Sequence, residues 1–137
     1  MTINSKIDCF EFTEELGEKF PSNIFVVSVP AGISSKRDLL ESIARVANFP
    51  EYFGGNWDAF FDCLRDFEWI GERQIVIRHR DLPLRSNPTE CRIYLEILRE
   101  AVVDWYRVPT QKNLPTHELR VFFPKKEQTS IAALLGV

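Results

Sequence analysis

Residues 24–29, IFVVSV, form a continuous apolar, β-branched run closed by Pro30. Such a run, with no polar alternation, reads as a strand buried on both faces, the kind that parallel sheets contain. Two more strand-like runs follow, one at about 74–79 within ERQIVIRH and one in ELRVFF, which Pro124 ends. The segments between them have helical spacing. Ser35 and Asp38 stand three apart, as in a capping box. Leu39, Leu40, Ile43, Val46 and Ala47 then recur at helical intervals up to Asn48, and Pro50 stops the helix. Asn56 is placed to cap a second helix from Trp57 to about Phe67. TECRIYLEILREAVVDWY sets Ile93, Ile97, Leu98, Ala101, Val102 and Trp105 on the inner side of a long third helix. Strands joined through helices become parallel neighbours with right-handed crossovers. The order therefore predicts an α/β fold: a single layer of three parallel strands packed by about four helices, with further short helical pieces in DLPLRSNP or the tail.

The chain has 137 residues, enough for one domain with a genuine core. Residues 1–22 form an N-terminal extension that could hold a short helix or a strand. Residues 23–124 form the domain, and 125–137 a tail. Aromatics are abundant (11 Phe, 3 Trp and 3 Tyr), and a helix–sheet core would absorb most of them. The net charge of −3 disfavours direct nucleic-acid binding. No apolar stretch is long enough to span a membrane. The N-terminus carries acids where a signal peptide needs an apolar run, so the expected location is the cytoplasm. Cys9, Cys63 and Cys91 are widely spaced, with no C-x-x-C pair, and read as free thiols. His79 and His117 have no partner nearby in sequence and read as structural residues.

The segment PEYFGGNWDAFFDCLRDF, residues 50–67, raises a functional question. At about 100° per residue, Trp57, Phe60, Cys63, Leu64 and Phe67 fall on one apolar side of the helix. Asp58, Asp62 and Asp66 fall on the other, with Phe61 at the margin beside Asp58. Like charges four apart on a helix repel. The helix dipole favours Asp58 in the first turn, opposes Asp66 near the end and does little for Asp62. Over residues 48–70, five acids face one base, Arg65, and the local balance of −4 exceeds that of the whole chain. A solvated polar face accounts for such a pattern, as does a carboxylate active site or an anionic docking surface.

An enzyme is the weakest of these. Acid–base work needs two carboxylates in different environments, and Asp58 and Asp62 share one exposed face. There is no phosphate loop, no G-x-S-x-G and no nucleophile–base pair. No metal and no cofactor is expected.

The same segment resembles the barstar family, intracellular inhibitors of barnase-type ribonucleases. Pro50, Glu51, Tyr52, Gly54, Asn56, Asp58, Ala59, Asp62, Cys63 and Leu64 carry the resemblance, and a looser match extends from about residue 24 to 123. It implies a three-stranded parallel sheet with helices, and a mechanism. The second helix and the loop before it would plug the cationic active site of a ribonuclease, the aspartates standing in for RNA phosphates. By position, Asp62 would enter the catalytic site and Asp58 would support it. Tyr52 would present a ring, Gly54 would allow close backbone approach, and Asn56 would cap the helix beside the contact. Phe61 and Phe67 stand where the family has tryptophans and would supply apolar contact area. Glu100 and Asp104, four apart in LREAVVD, would add a peripheral charge contact. The implied partner is a basic ribonuclease held in a 1:1 complex. Gly55 stands where the family has an acid, and Arg65 adds a positive charge. The extension, the loop at 105–118 and the tail have no counterpart. These departures point to a different target, such as a ribonuclease toxin delivered between competing bacteria, which would make the chain an immunity protein. The alternative is an acidic docking module for another basic protein, without nuclease inhibition.

Overall fold

A computed structural model describes residues 9–14, 19–51, 53–107 and 116–137. The elements are β1 (Phe10–Thr13), β2 (Ile24–Val29), α1 (Lys36–Val46), α2 (Trp57–Asp66), β3 (Gln74–His79), α3 (Pro88–Arg107), β4 (Glu118–Pro124) and α4 (Gln128–Leu135). The α/β class and the parallel sheet are as expected. The number of strands is not: among the described residues the sheet has four, in the order β1-β4-β3-β2, all parallel.

The added strand comes from the segment read as an extension. Phe10–Thr13 lies along Val121–Pro124, and Phe10 packs edge-on against Phe123 at 5.3 Å. Glu11 accepts hydrogen bonds from both Nε and Nη2 of Arg120, at 2.7 and 2.6 Å. Four residues carry too little pattern to announce a strand. The strand exists because β4 offers an edge.

β2 also departs from expectation. It is an edge strand rather than one covered on both faces, and Ser28 is exposed. The doubly covered strand is β3, where Ile75, Val76 and Ile77 are all fully buried. One sheet face carries Ile75 and Ile77 beside Leu119 and Val121 in register, and these residues enter the main core cluster.

Local chemistry sets the helix ends. Ser35 Oγ accepts from the Asp38 N–H at 3.1 Å and starts α1. On α3 the buried side is built from Tyr94, Leu95, Leu98, Ala101 and Val102. Ile93 and Ile97 are only partly covered, so the inward stripe sits slightly to one side of the expected one. The tail is fastened to the domain. Ile131 and Leu135 of α4 are buried, and the buried Glu127 carboxylate pairs with Arg85 and accepts from the Leu82 N–H at 3.3 Å. Among the described residues, no helix is long and apolar enough to cross a membrane. Cys9, Cys63 and Cys91 are buried, and Cys63 and Cys91 are free thiols.

His79 is structural, and it makes the fold acid-sensitive. Its ring stacks on Phe123 with centroids 4.0 Å apart. Nδ1 lies 2.9 Å from the Phe122 carbonyl, which can only accept, so Nδ1 carries the proton. Nε2 therefore accepts from the Tyr94 hydroxyl at 2.6 Å. Burial pushes His79 down from the usual 6.5 to about 4. The unfolded chain takes up this proton near pH 6.5 and the folded chain near pH 4, so stability falls as pH drops through that window. Urea unfolding at pH 5 should show a loss of about 2 kcal/mol from this group relative to pH 7. A His79 NMR titration midpoint near 6.5 in the folded protein would remove the basis for that loss.

Candidate functional site

The loop ahead of α2 turns on Gly55, whose φ of +73° suits glycine. Gly54 has no positive φ, and among the described residues a Cβ there would meet Asn56 Nδ2 alone, at 3.4 Å. Both glycines are exposed. Phe53 packs edge-on against Phe49 at 5.1 Å and fixes the loop to the core. Tyr52 lies outside the described residues. Asn56 performs the expected capping, its Oδ1 accepting from the Ala59 N–H at 2.8 Å.

α2 is anchored at both ends. At its start, Trp57 Nε1 donates to Glu90 Oε2 of α3 at 2.7 Å. Phe60, Cys63 and Leu64 point inward and are fully buried. Near its end, Trp105 Nε1 donates to the Leu64 carbonyl at 2.7 Å. The helix closes at Phe67, in the left-handed conformation with φ 48°. The buried His117 ring bridges the Phe67 carbonyl (Nε2, 3.0 Å) and the Glu72 carbonyl (Nδ1, 2.8 Å). An outward face on such a helix is held in place before any partner arrives.

The apolar contact role implied for Phe67 does not hold in this structure. Its ring is fully buried, against Trp69 at 5.7 Å and His117 at 6.1 Å. Helical spacing and structure agree here: Phe67 is on the core side, at the left-handed turn that ends the helix. Phe61, by contrast, sits at the margin and is only partly buried.

Asp58 and Asp62 are exposed on the outward side of α2. Among the described residues, Asp58 makes no ion pair or side-chain hydrogen bond. Asp62 has a companion, because Arg65 Nη2 donates to its Oδ1 at 2.9 Å. Arg65 Nη1 also lies 3.5 Å from Asp104 Oδ2 of α3, and the guanidinium carbon sits 4.0 Å from the Phe61 ring centroid. One arginine thus gathers Asp62, Phe61 and Asp104 into a single patch. Glu100, one turn before Asp104, is held by its neighbour Arg99 at 2.6 Å. No spacing rule could pair Arg65 with Asp104, since the contact depends on how α2 packs on α3.

The two thiols near this region, Cys63 and Cys91, are not activated. Burial, with Asp66 and Asp62 adding to it, pushes the Cys63 thiol up to about 11. Burial likewise raises Cys91 to about 11. Neither sulfur is a thiolate at neutral pH, so neither is an activated nucleophile. Among the described residues, no three His, Cys, Asp or Glu side chains come together as a metal site requires.

No curated protein and no solved structure matches the chain. One family model does, described as Barstar (barnase inhibitor), over residues 24–123. The match runs from the first residue of β2 almost to the end of β4 and takes in the whole of α1, α2 and α3, leaving β1 and α4 outside it. On a match that covers most of its length, together with a parallel sheet packed by helices, the chain belongs to the barstar family.

Proposed function

We propose that the chain inhibits a ribonuclease, inserting α2 and the loop before it into the enzyme's cationic active site in a 1:1 complex. The observation that supports this best is an outward carboxylate row on a helix fixed at both ends, in a member of the barstar family. Asp62 would meet the catalytic cations and Asp58 would flank it. Gly54, Asn56, Phe61 and, by sequence position, Tyr52 would line the entry. Asp104 and Glu100 would form the charged rim. Gly54 fits this role because, among the described residues, nothing requires a glycine there. A cytoplasmic immunity protein that protects a bacterium from a ribonuclease toxin is the setting that suits such an inhibitor.

Carboxylates facing a cationic cleft raise the encounter rate through a long-range field that salt screens. Titrating a panel of basic microbial ribonucleases, barnase included, should give stoichiometric inhibition of at least one. The association rate for that enzyme should fall at least about tenfold between low and physiological salt. A rate indifferent to salt would remove the electrostatic plug.

A second possibility is a docking module for another basic protein, without nuclease inhibition. The observation in its favour is Arg65, which already neutralises part of the face. Charge-dependent binding to a basic protein, with every ribonuclease of the panel left active, would decide for it.

A further inference from the structure

We infer that Arg65 sets which partners the acidic face admits: it is a built-in counter-cation that a partner's own cation has to displace from Asp62 and Asp104. This rests on the proposal that the face plugs a cationic site, and it adds a selection rule to it.

Three contacts hold the guanidinium from three directions. Asp62 accepts at 2.9 Å, Asp104 pairs at 3.5 Å, and the Phe61 ring lies 4.0 Å below. Arg37, Arg92 and Arg99 pair with Glu41, Glu96 and Glu100 within their own helices. Arg65 reaches from α2 to α3. Its contacts run from the middle of the proposed contact face, at Asp62 and Phe61, to the charged rim, at Asp104.

Arginine stays protonated at any working pH, so the obstacle can be moved but not titrated away. It can be moved because 42% of the Arg65 side chain and 66% of the Asp62 side chain are exposed. A guanidinium or ammonium approaching Asp62 meets Arg65 at close range. A like charge about 4 Å away in water-like surroundings weakens such a pairing roughly fivefold. A partner with an acceptor beside its cation can take up the displaced guanidinium and recover that loss. A partner carrying only cations cannot. Arg65 therefore selects for a mixed-charge surface and against an indiscriminately basic one, a repulsive element of the kind that specificity uses.

Two probes test this. The first is a deca-arginine peptide, which offers cations and no side-chain acceptor, titrated at low salt by fluorescence anisotropy. Arg65→Gln should bind it at least about fivefold more tightly than wild type. Arg37→Gln, which changes net charge equally but lies on α1, should not. Adding Asp62→Asn to Arg65→Gln should abolish the gain. If Arg65→Gln binds no better than Arg37→Gln, the assignment is overturned. The second probe is barnase, inhibited by wild type or by Arg65→Gln. If neither inhibits it while Arg65→Gln still gains on deca-arginine, the Arg65 assignment holds and barnase inhibition fails. If both inhibit barnase and Arg65→Gln gains on neither probe, the Arg65 assignment alone falls.

Discussion

Asp62→Ala should weaken inhibition of a basic ribonuclease by at least about a hundredfold, with the free protein as stable as before. The two halves of that expectation have different causes. In the complex, the enzyme's cation would be buried opposite a methyl group. Leaving one member of a buried charge pair unpaired costs about 2–5 kcal/mol, a range for which barnase–barstar is itself the type example. The mutant also frees Arg65 from its nearest carboxylate, so a positive charge remains where the enzyme presents its own. In the free protein, Asp62 is mid-helix and exposed. Removing it deletes an exposed ion pair with Arg65 and relieves repulsion from Asp58 and Asp66, effects that are each small and opposed. Stability should therefore stay within about 0.5 kcal/mol of wild type. Asp58→Ala makes a useful contrast. It should lose about 0.3–1 kcal/mol of stability, because Asp58 sits in the first turn where the helix dipole favours it. Urea unfolding and titration of ribonuclease activity, run on both variants, separate the effects. Inhibition unchanged by Asp62→Ala would place the contact on another face.

The parts of this fold that could be read from sequence are those whose information is local. β3, β4 and the helices α1 to α3 follow from apolar runs, helical spacing and caps such as Ser35 and Asn56. The outward position of Asp58 and Asp62 follows from helical period alone. What escaped depends on contacts between residues far apart in the chain. β1 is defined by pairing with β4, about 110 residues later. The edge position of β2 depends on strand order, which no single strand encodes. His79 and His117 lack partners nearby in sequence, yet each uses both ring nitrogens, on Phe122 and Tyr94 or on Glu72 and Phe67. Arg65 shows the division most clearly. Its pairing with Asp62 is an i,i+3 contact open to prediction, whereas Asp104 arrives only through helix packing. For Phe67, helical spacing and family resemblance gave opposite expectations, and spacing was right. The resemblance transfers a position along the chain, but the direction of a side chain at a helix terminus depends on the backbone turn there.

Phe67 therefore supports a prediction of unusual sign. Its side chain is fully buried, so Phe67→Ala should destabilise the protein by about 3–5 kcal/mol through lost transfer energy and the cavity left behind. Its φ of 48° is left-handed, a conformation that costs an L-residue about 1–2 kcal/mol and glycine nothing comparable. Phe67→Gly loses the same ring but sheds that backbone cost. It should consequently be more stable than Phe67→Ala, although glycine is ordinarily the worse choice. Both variants keep the backbone carbonyl that accepts from His117, so the difference reports on the turn itself. Urea unfolding of the two variants measures it. Both should still inhibit the target ribonuclease with near wild-type affinity under conditions where they are folded, since the ring does not reach the surface. A Phe67→Ala protein that is fully stable but has lost inhibition would put the ring in the interface and overturn its assignment to the core.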